Sequence, residues 1–253
     1  MSEAVLDEYF EKPINPDDKI WRYMDIEKYV SLITSKSLYF ARLHEFEDHF
    51  EGSFWPTKIL KPDFKHSNIS ESDKAVWKKN AEDNKKYMAV SCWHLSEYES
   101  DAMWKIYAKY DKGIAIQSTY GSLCEELKNA KKNLPYLHQI NRVKYIDHFT
   151  ELFRDGGAMW LFDGVLHKHK SFEYEKELRA VLYTSSSNIE SHEWLNLQKG
   201  IPIPLDNFSV FIKKVITSPY SQERFYKMLK SVSEKYGLVD KVLKSELTEK
   251  LPY

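Results

Sequence analysis

The stretch "KSFEYEKELRAVLY", residues 170–183, concentrates charge immediately before an apolar run. Glu173, Glu175, Glu177 and Arg179 stand at alternate positions within it. Alternate side chains of an extended chain share a face, so the pattern predicts three carboxylates and a guanidinium along one side of a strand. We expect Arg179 to pair with one carboxylate, Glu173 to be solvated, and Glu177 to be the most buried. A buried carboxylate is a candidate catalytic group, because its environment adjusts its protonation.

A second candidate lies near the N-terminus, in the tetrapeptide "WRYM". Arg22 and Tyr23 are adjacent, so on a strand they point to opposite faces. The planar fork of Arg22 suits a phosphate, which would make it an anion clamp. The alternative is a surface or ion-paired Arg22 beside a core Tyr23, as burial preferences favour.

Two more segments hold polar groups among aromatic residues. In "FEDHFEGS", Asp48 and Glu51 are candidate metal ligands, although acidic residues in a tight loop more often cap backbone amides. In "SCWHLSEYESDAMW", Ser91 lies near His94, but the segment lacks the G-x-S-x-G turn of a hydrolase nucleophile. Ser100 is better placed as the N-cap of the following helix.

Short strands interleaved with helices predict an α+β fold, with a mixed central sheet flanked by helices in a single domain. We divide the chain into an N-terminal arm (1–18), the α+β domain (19–218) and C-terminal helices packed on it (219–253). Residues 56–86 are polar and predict an exposed helical insertion. Neither G-x-G-x-x-G nor a P-loop occurs, which disfavours a doubly wound nucleotide-binding fold.

Local signals place several helix boundaries. Asp25 and Ser100 are predicted N-caps, and Gly113 is predicted to end the helix that Ser100 begins. The helix that Ser100 begins is predicted to have a buried stripe of Met103, Trp104, Tyr107 and Ala108. A later amphipathic helix, within residues 221–237, is predicted to bury Phe225, Met228, Leu229, Val232 and Tyr236.

Composition limits the classes of function. A hydrophobic share of 42% is typical of globular chains. A net charge of -1 gives no global basic field for nucleic acid, although it is compatible with a local basic groove. Cys92 and Cys124 lack the spacing of a zinc site or a disulfide framework. No signal peptide and no apolar run of about 18 residues is present, which predicts a soluble cytoplasmic protein without a membrane partner.

The chain resembles a large bacterial family, the Domain of Unknown Function 2971 family. The segments that carry the resemblance are "RYM", "LYFARLHEFEDHFEGS", "AVSCWHLSEYESDAMWKIYAKYDKGIAI" and "KHKSFEYEKELRAVL", in that order. They span roughly residues 20–185, and the C-terminal helices lie outside them. The family name implies no activity.

More distantly, the order of elements is similar to that of ADP-ribosyltransferases. That resemblance implies a split sheet and NAD as substrate. It implies that Glu177 is the catalytic carboxylate and Glu175 its E-x-E partner. Arg22 or Tyr23 would hold the ribose or the phosphates, and Ser91 would support the nicotinamide ribose. Arg179 and Trp104 complete the residues assigned to substrate binding, and the first-strand position lacks the family's alternative His.

A carboxylate near the ribose would stabilise the positive charge that builds up when the nicotinamide bond breaks, and no metal is required. The acceptor would be a protein or a nucleic acid, in a toxin or an antiphage-defence effector. One alternative is a non-catalytic binding or regulatory module with an ion-paired Glu/Arg strand. A third is a metal-dependent nuclease that uses Asp48, Glu51, Glu175 and Glu177.

Overall fold

The computed structural model describes residues 15–46, 70–130, 137–147, 164–183 and 200–248, apart from scattered positions between 71 and 84 and residues 109 and 239. This part of the chain is α+β, as predicted, and its central sheet is mixed. One pair of neighbouring strands in this sheet is parallel, and five described pairs are antiparallel. Among the described residues, no helix is long and apolar enough to cross a membrane.

Eleven strands are found in the described residues. Most coincide with runs rich in β-branched and aromatic residues, which fit a pleated, half-buried surface. They are β1 (Lys19–Asp25), β2 (Ser37–Arg42), β3 (Met88–Leu95), β4 (Gly113–Thr119), β5 (Leu137–Arg142), β6 (Lys144–Ile146), β7 (His167–His169), β8 (Glu177–Tyr183), β9 (Gly200–Pro204), β10 (Lys214–Thr217) and β11 (Val242–Lys244).

The α-helices begin where the sequence supplies a cap. Asp25 accepts a hydrogen bond from the backbone N–H of Lys28 at 2.9 Å, and Ser100 accepts one from Met103, so both predicted N-caps are confirmed. The described α-helices are α1 (Ile26–Ser35), α2 (Asp101–Tyr107), α3 (Tyr120–Ala130), α4 (Phe208–Phe211) and α5 (Glu223–Glu234).

Gly113 does not end α2, contrary to the prediction. The helix stops at Tyr107, whose place in the buried stripe was wrong because it is 41% exposed. Gly113 is the first residue of β4. A Cβ atom at Gly113 would lie 2.4 Å from the carbonyl oxygen of Ala108. The glycine therefore permits a close approach of two backbone segments rather than a helix C-cap.

The chain divides into two compact units. The first comprises residues 1–12, 40–91 and 135–201, and the second comprises 13–39, 92–134 and 202–253. In the first unit β5 and β8 pair antiparallel over six residues, from Leu137 opposite Tyr183 to Arg142 opposite Leu178. Strand β8 also pairs with β3, and β6 pairs with β7 in parallel. The two sides of β8 are thus covered by neighbouring strands.

In the second unit the strand order is β11-β10-β4-β1. Strands β1 and β4 pair antiparallel along their full length, from Lys19 opposite Thr119 to Asp25 opposite Gly113. A hydrophobic cluster lies on the side of β1 that carries Trp21 and Tyr23. Its other buried members are Met103, Trp104, Ala108, Ala115 and Ile216.

The C-terminal part differs from the helical extension that we predicted. Helix α5 is present, but Val242–Lys244 forms β11, which pairs with β10 in parallel. Phe225 and Leu229 are buried in α5, whereas Met228 is 43% exposed, so its place in the buried stripe was wrong. The described residues between 72 and 87 are helical and mostly exposed, as predicted for the insertion.

Candidate functional site

The charged stretch of the first unit is folded in two parts rather than one. Residues Lys170–Glu175 form a 3₁₀ helix, and β8 begins only at Glu177. Lys176 joins them in the left-handed region, with φ 42°. The single extended array of carboxylates is therefore wrong for Glu173 and Glu175, because a 3₁₀ turn breaks the period of two. Glu173 is exposed, as expected.

Glu177 and Arg179 do share a face of β8, and they form a two-pronged ion pair. Arg179 Nε donates to Glu177 Oε1 at 2.8 Å, and Nη2 donates to Oε2 at 3.0 Å. Arg179 Nη1 donates to the carbonyl oxygen of Val165 at 2.7 Å. The predicted pairing of Arg179 with a carboxylate is confirmed, and it fixes both the position and the plane of that carboxylate.

A second cation, Lys168 of β7, connects the two acids. Lys168 Nζ donates to Glu175 Oε2 at 2.7 Å and lies 3.5 Å from Glu177 Oε2. The same ammonium lies 4.7 Å from the centroid of the Phe172 ring, within range of a cation–π contact. The 3₁₀ turn thus brings Glu175 back towards β7 instead of aligning it with Glu177.

We call Lys168, Glu175, Glu177 and Arg179 the charged quartet. All four are buried, with exposed fractions of 8%, 3%, 6% and 1%. Two positive and two negative groups leave no formal net charge, which is the condition under which charges are tolerated away from water. Glu177 is buried, but the expectation that it is the most buried of the three acids is wrong, because Glu175 is less exposed.

Tyr145 attaches the quartet to β6. Its hydroxyl accepts a hydrogen bond from the backbone N–H of Glu177 at 2.8 Å. Burial raises the pKa of the Tyr145 hydroxyl, and the charges of Glu177 and Glu175 raise it further, against the lowering effects of the backbone hydrogen bond and of Lys168. The phenol is therefore neutral at physiological pH and supports the turn that leads into β8.

The arginine of "WRYM" lies in the second unit, on the face of β1 opposite to Tyr23. Arg22 Nη2 donates to the carbonyl oxygen of Tyr39 at 3.0 Å, and the guanidinium carbon lies 5.8 Å from the centroid of the Trp93 ring. Burial lowers the pKa of this guanidinium. These contacts are those of an arginine packed against its own protein. The use of Arg22 as an anion clamp stays a prediction.

Tyr23 and Trp104 are members of the hydrophobic cluster of the second unit. Their rings meet edge to face, with centroids 4.9 Å apart. The Tyr23 hydroxyl accepts from the backbone N–H of Ser100 at 2.9 Å, and Trp104 Nε1 donates to Glu99 Oε2 at 3.0 Å. Trp104 has an exposed fraction of 0%. The contacts account for both rings as core, and their assignment to substrate binding stays a prediction.

The remaining predicted residues are placed differently. Ser91 lies in β3 and is fully buried, and its role beside the nicotinamide ribose stays a prediction. Asp48 and Glu51 lie outside the described residues. Within the described ranges, no group of three or more His, Cys, Asp and Glu side chains is arranged to hold a metal ion.

Comparison with known proteins gives no family for this chain. A scan against models of protein families finds no match. A search of curated proteins also finds no match. The resemblances inferred from the sequence therefore stay predictions.

Sequence reasoning missed one member of the quartet, Lys168, and the neighbouring Tyr145. Lys168 lies seven residues before Glu175 and reaches it through the 3₁₀ turn, while Tyr145 lies 32 residues before Glu177. Lys168 has no distinguishing local signal, because in "HKHK" it stands between two histidines and before a second lysine, a composition typical of an exposed segment. No local signal identifies Tyr145, because its contact depends on tertiary structure.

Proposed function

We propose that this protein is an NAD-dependent ADP-ribosyltransferase-like enzyme in which Glu177 is the catalytic carboxylate. The observation that carries the proposal is the fixed orientation of Glu177 at the first residue of β8, where Arg179 holds both of its oxygens. A carboxylate beside a guanidinium favours its ionised form. An ionised, immobile carboxylate is the group that a positively charged transition state requires.

The reaction breaks the bond between the nicotinamide nitrogen and C1′ of the ribose, and the bonding electron pair leaves with neutral nicotinamide. The ribose acquires oxocarbenium character, which the Glu177 carboxylate stabilises electrostatically. A nucleophile on a protein, on a nucleic acid or in water then bonds to C1′ and loses its proton. Preorganisation matters here, because a carboxylate already held by Arg179 does not reorganise during the reaction.

Glu175 has a supporting role in this proposal. It shares Lys168 with Glu177, so Lys168 balances the two negative charges within one buried network. Removing Glu175 would strengthen the pull of Lys168 on Glu177 and draw negative charge away from the ribose. Glu175 is accordingly a positioning residue in this account, not a catalytic one.

A second candidate function is a non-catalytic binding or regulatory module. The same ion pair favours it, since both oxygens of Glu177 already accept from Arg179 and the quartet is neutral and buried. Buried ion pairs often serve to specify a structure rather than to react. The two candidates differ in whether Glu177 is needed for chemistry or only for folding.

The experiment that tests the proposal is nicotinamide release from NAD by the full chain. Wild type, Glu177→Gln and Glu173→Gln are compared at a temperature where circular dichroism shows all three folded. Glu173 is the matched control, being an exposed glutamate four residues away. The proposal requires a loss of about a hundredfold or more in Glu177→Gln and wild-type release in the control. Equal release by both variants, or none by wild type, would favour the module.

A further inference from the structure

Two side chains of β5 carry buried atoms that lack a hydrogen-bond partner among the described residues. They are Oε1 of Gln139 and Nδ2 of Asn141. Asn141 has an exposed fraction of only 3%. Buried polar atoms are nearly always paired in folded proteins, and each exception requires an explanation.

The two atoms lie on the face of the first unit that carries Glu177 and Arg179. Asn141 is directly opposite Arg179 in the antiparallel pair of β5 and β8, and Gln139 is directly opposite Val181. Directly opposite residues have their side chains on the same face, with Cβ atoms about 4.5–5.5 Å apart. Glu177 is a diagonal neighbour of Asn141 on that face. The side chains that carry the two unpaired atoms therefore lie on the same face as the proposed catalytic carboxylate, and Asn141 is its diagonal neighbour.

The unpaired atoms are chemically complementary, one a donor and one an acceptor. Positions two apart on a strand are separated by about 7 Å, a gap that a small polar group can bridge. A primary carboxamide offers an acceptor oxygen and a donor NH₂ side by side, and so satisfies both atoms. A carboxylate offers only acceptors, which would leave Gln139 Oε1 unpaired.

We propose that Gln139 and Asn141 recognise the carboxamide of the nicotinamide group, with Asn141 Nδ2 donating to its oxygen and Gln139 Oε1 accepting from its NH₂. This inference rests on the proposed function and deepens it, because it places the leaving group beside Glu177. It also makes the site selective for NAD over its deamidated form, in which a carboxylate replaces the carboxamide. A site built to pair a polar group rejects analogues that leave its own groups unpaired.

The test is calorimetric binding of four ligands to the full chain: NAD, nicotinic acid adenine dinucleotide, ADP-ribose and nicotinamide. Asn141→Leu removes the donor at nearly constant volume, and Gln139→Met removes the acceptor. Arg142→Gln is the control, since Arg142 is exposed and its side chain points to the other face of β5. Melting temperatures of the unliganded variants are measured in parallel.

The proposal predicts that wild type binds NAD at least about tenfold more tightly than the deamidated dinucleotide. Asn141→Leu and Gln139→Met should abolish that preference, leave ADP-ribose binding unchanged, and melt no lower than wild type. The control should keep the preference. Unliganded variants should melt close to wild type, because each removes a buried polar atom that lacks a partner among the described residues.

Other outcomes overturn the inference in distinguishable ways. If wild type binds or cleaves NAD without preferring the carboxamide, the inference fails and the proposed function stands. If NAD is neither bound nor cleaved but nicotinamide binds and Asn141→Leu abolishes that binding, the proposed function fails and the inference stands. If no ligand binds, both fail. A clear fall in the unliganded melting temperature of Asn141→Leu would show that a bound water or the protein itself pairs the amide, which also overturns the inference.

Discussion

Arg179 donates two hydrogen bonds to Glu177, from a position two residues further along the same strand. Strand periodicity places the two side chains on one face, and the planar guanidinium matches the two carboxylate oxygens. The two buried acids of this stretch, Glu175 and Glu177, each have a cationic partner, and burial makes that pairing necessary.

Replacing Arg179 tests how strongly the fold depends on this pair. Arg179→Leu leaves Glu177 buried with one fewer cation, and it removes the donor to the Val165 carbonyl oxygen. We expect the free energy of unfolding, measured in urea, to fall by about 3–5 kcal/mol. Arg142→Leu, an exposed position on β5, should change it by less than about 0.5 kcal/mol. A loss below about 1 kcal/mol in Arg179→Leu would contradict the importance given to the pair.

Lys168 and Glu175 should be coupled energetically. Lys168→Met leaves the Glu175 carboxylate buried without its ammonium partner, and Glu175→Gln leaves the Lys168 ammonium without its carboxylate partner. Each single variant should therefore be destabilised. The double variant should lose less than the sum of the two, by about 1–3 kcal/mol, because it removes both ends of the 2.7 Å contact. The check is a double-mutant cycle from chemical unfolding, and additivity within about 0.5 kcal/mol would refute the coupling.

Much of the secondary structure could be predicted because its signals are local. Asp25 and Ser100 stand immediately before apolar helical periods, and both cap helices as predicted. The alternation of Glu177 and Arg179 within an apolar run likewise predicted a shared face and an ion pair, since a strand's geometry needs no information from elsewhere in the chain.

The parts that could not be predicted depend on tertiary contacts. Glu175 follows the same alternation as Glu177, but Lys176 adopts a left-handed conformation and ends the 3₁₀ turn there. The segment that contains Val242 was assigned to the C-terminal helices, yet it pairs with β10 as a parallel strand, which only the completed sheet can specify. Nothing in the sequence indicates that Gln139 Oε1 and Asn141 Nδ2 lack a partner among the described residues.

Tyr29 provides a test of the second unit by pH. Burial raises the pKa of its hydroxyl to about 12, although the hydrogen bond with Ser233 lowers it. The folded state then holds the proton more tightly than the unfolded state, where the pKa is about 10. The stability that follows is complete below about pH 10 and is lost as pH rises towards 12.

The measurement for Tyr29 is a ¹³Cζ-tyrosine NMR titration, with the signal assigned by its loss in Tyr29→Phe. We expect a midpoint near pH 12 in wild type, because burial disfavours the charged phenolate. A Tyr29 midpoint near 10 would show that the hydroxyl is in contact with water.

Trp104 distinguishes a core residue from a ligand-stacking one. Its ring is fully buried against Tyr23, and its Nε1 donates to Glu99. We expect Trp104→Phe to lower the free energy of unfolding by about 1–3 kcal/mol and to leave the dissociation constant for NAD unchanged. Weaker NAD binding by an equally stable variant would instead support the assignment of Trp104 to substrate binding.

The central claim is that Glu177 acts in the chemistry and not only in the ion pair, and Glu177→Asp separates these roles most directly. The variant keeps the negative charge for Arg179 and Lys168 but withdraws the carboxylate by one methylene group. Single-turnover release of nicotinamide from NAD, measured with the urea stability of the same samples, is the deciding experiment. The account predicts release slowed by about a hundredfold, with most of the stability retained. Release at the wild-type rate, or release absent from wild type itself, would contradict it.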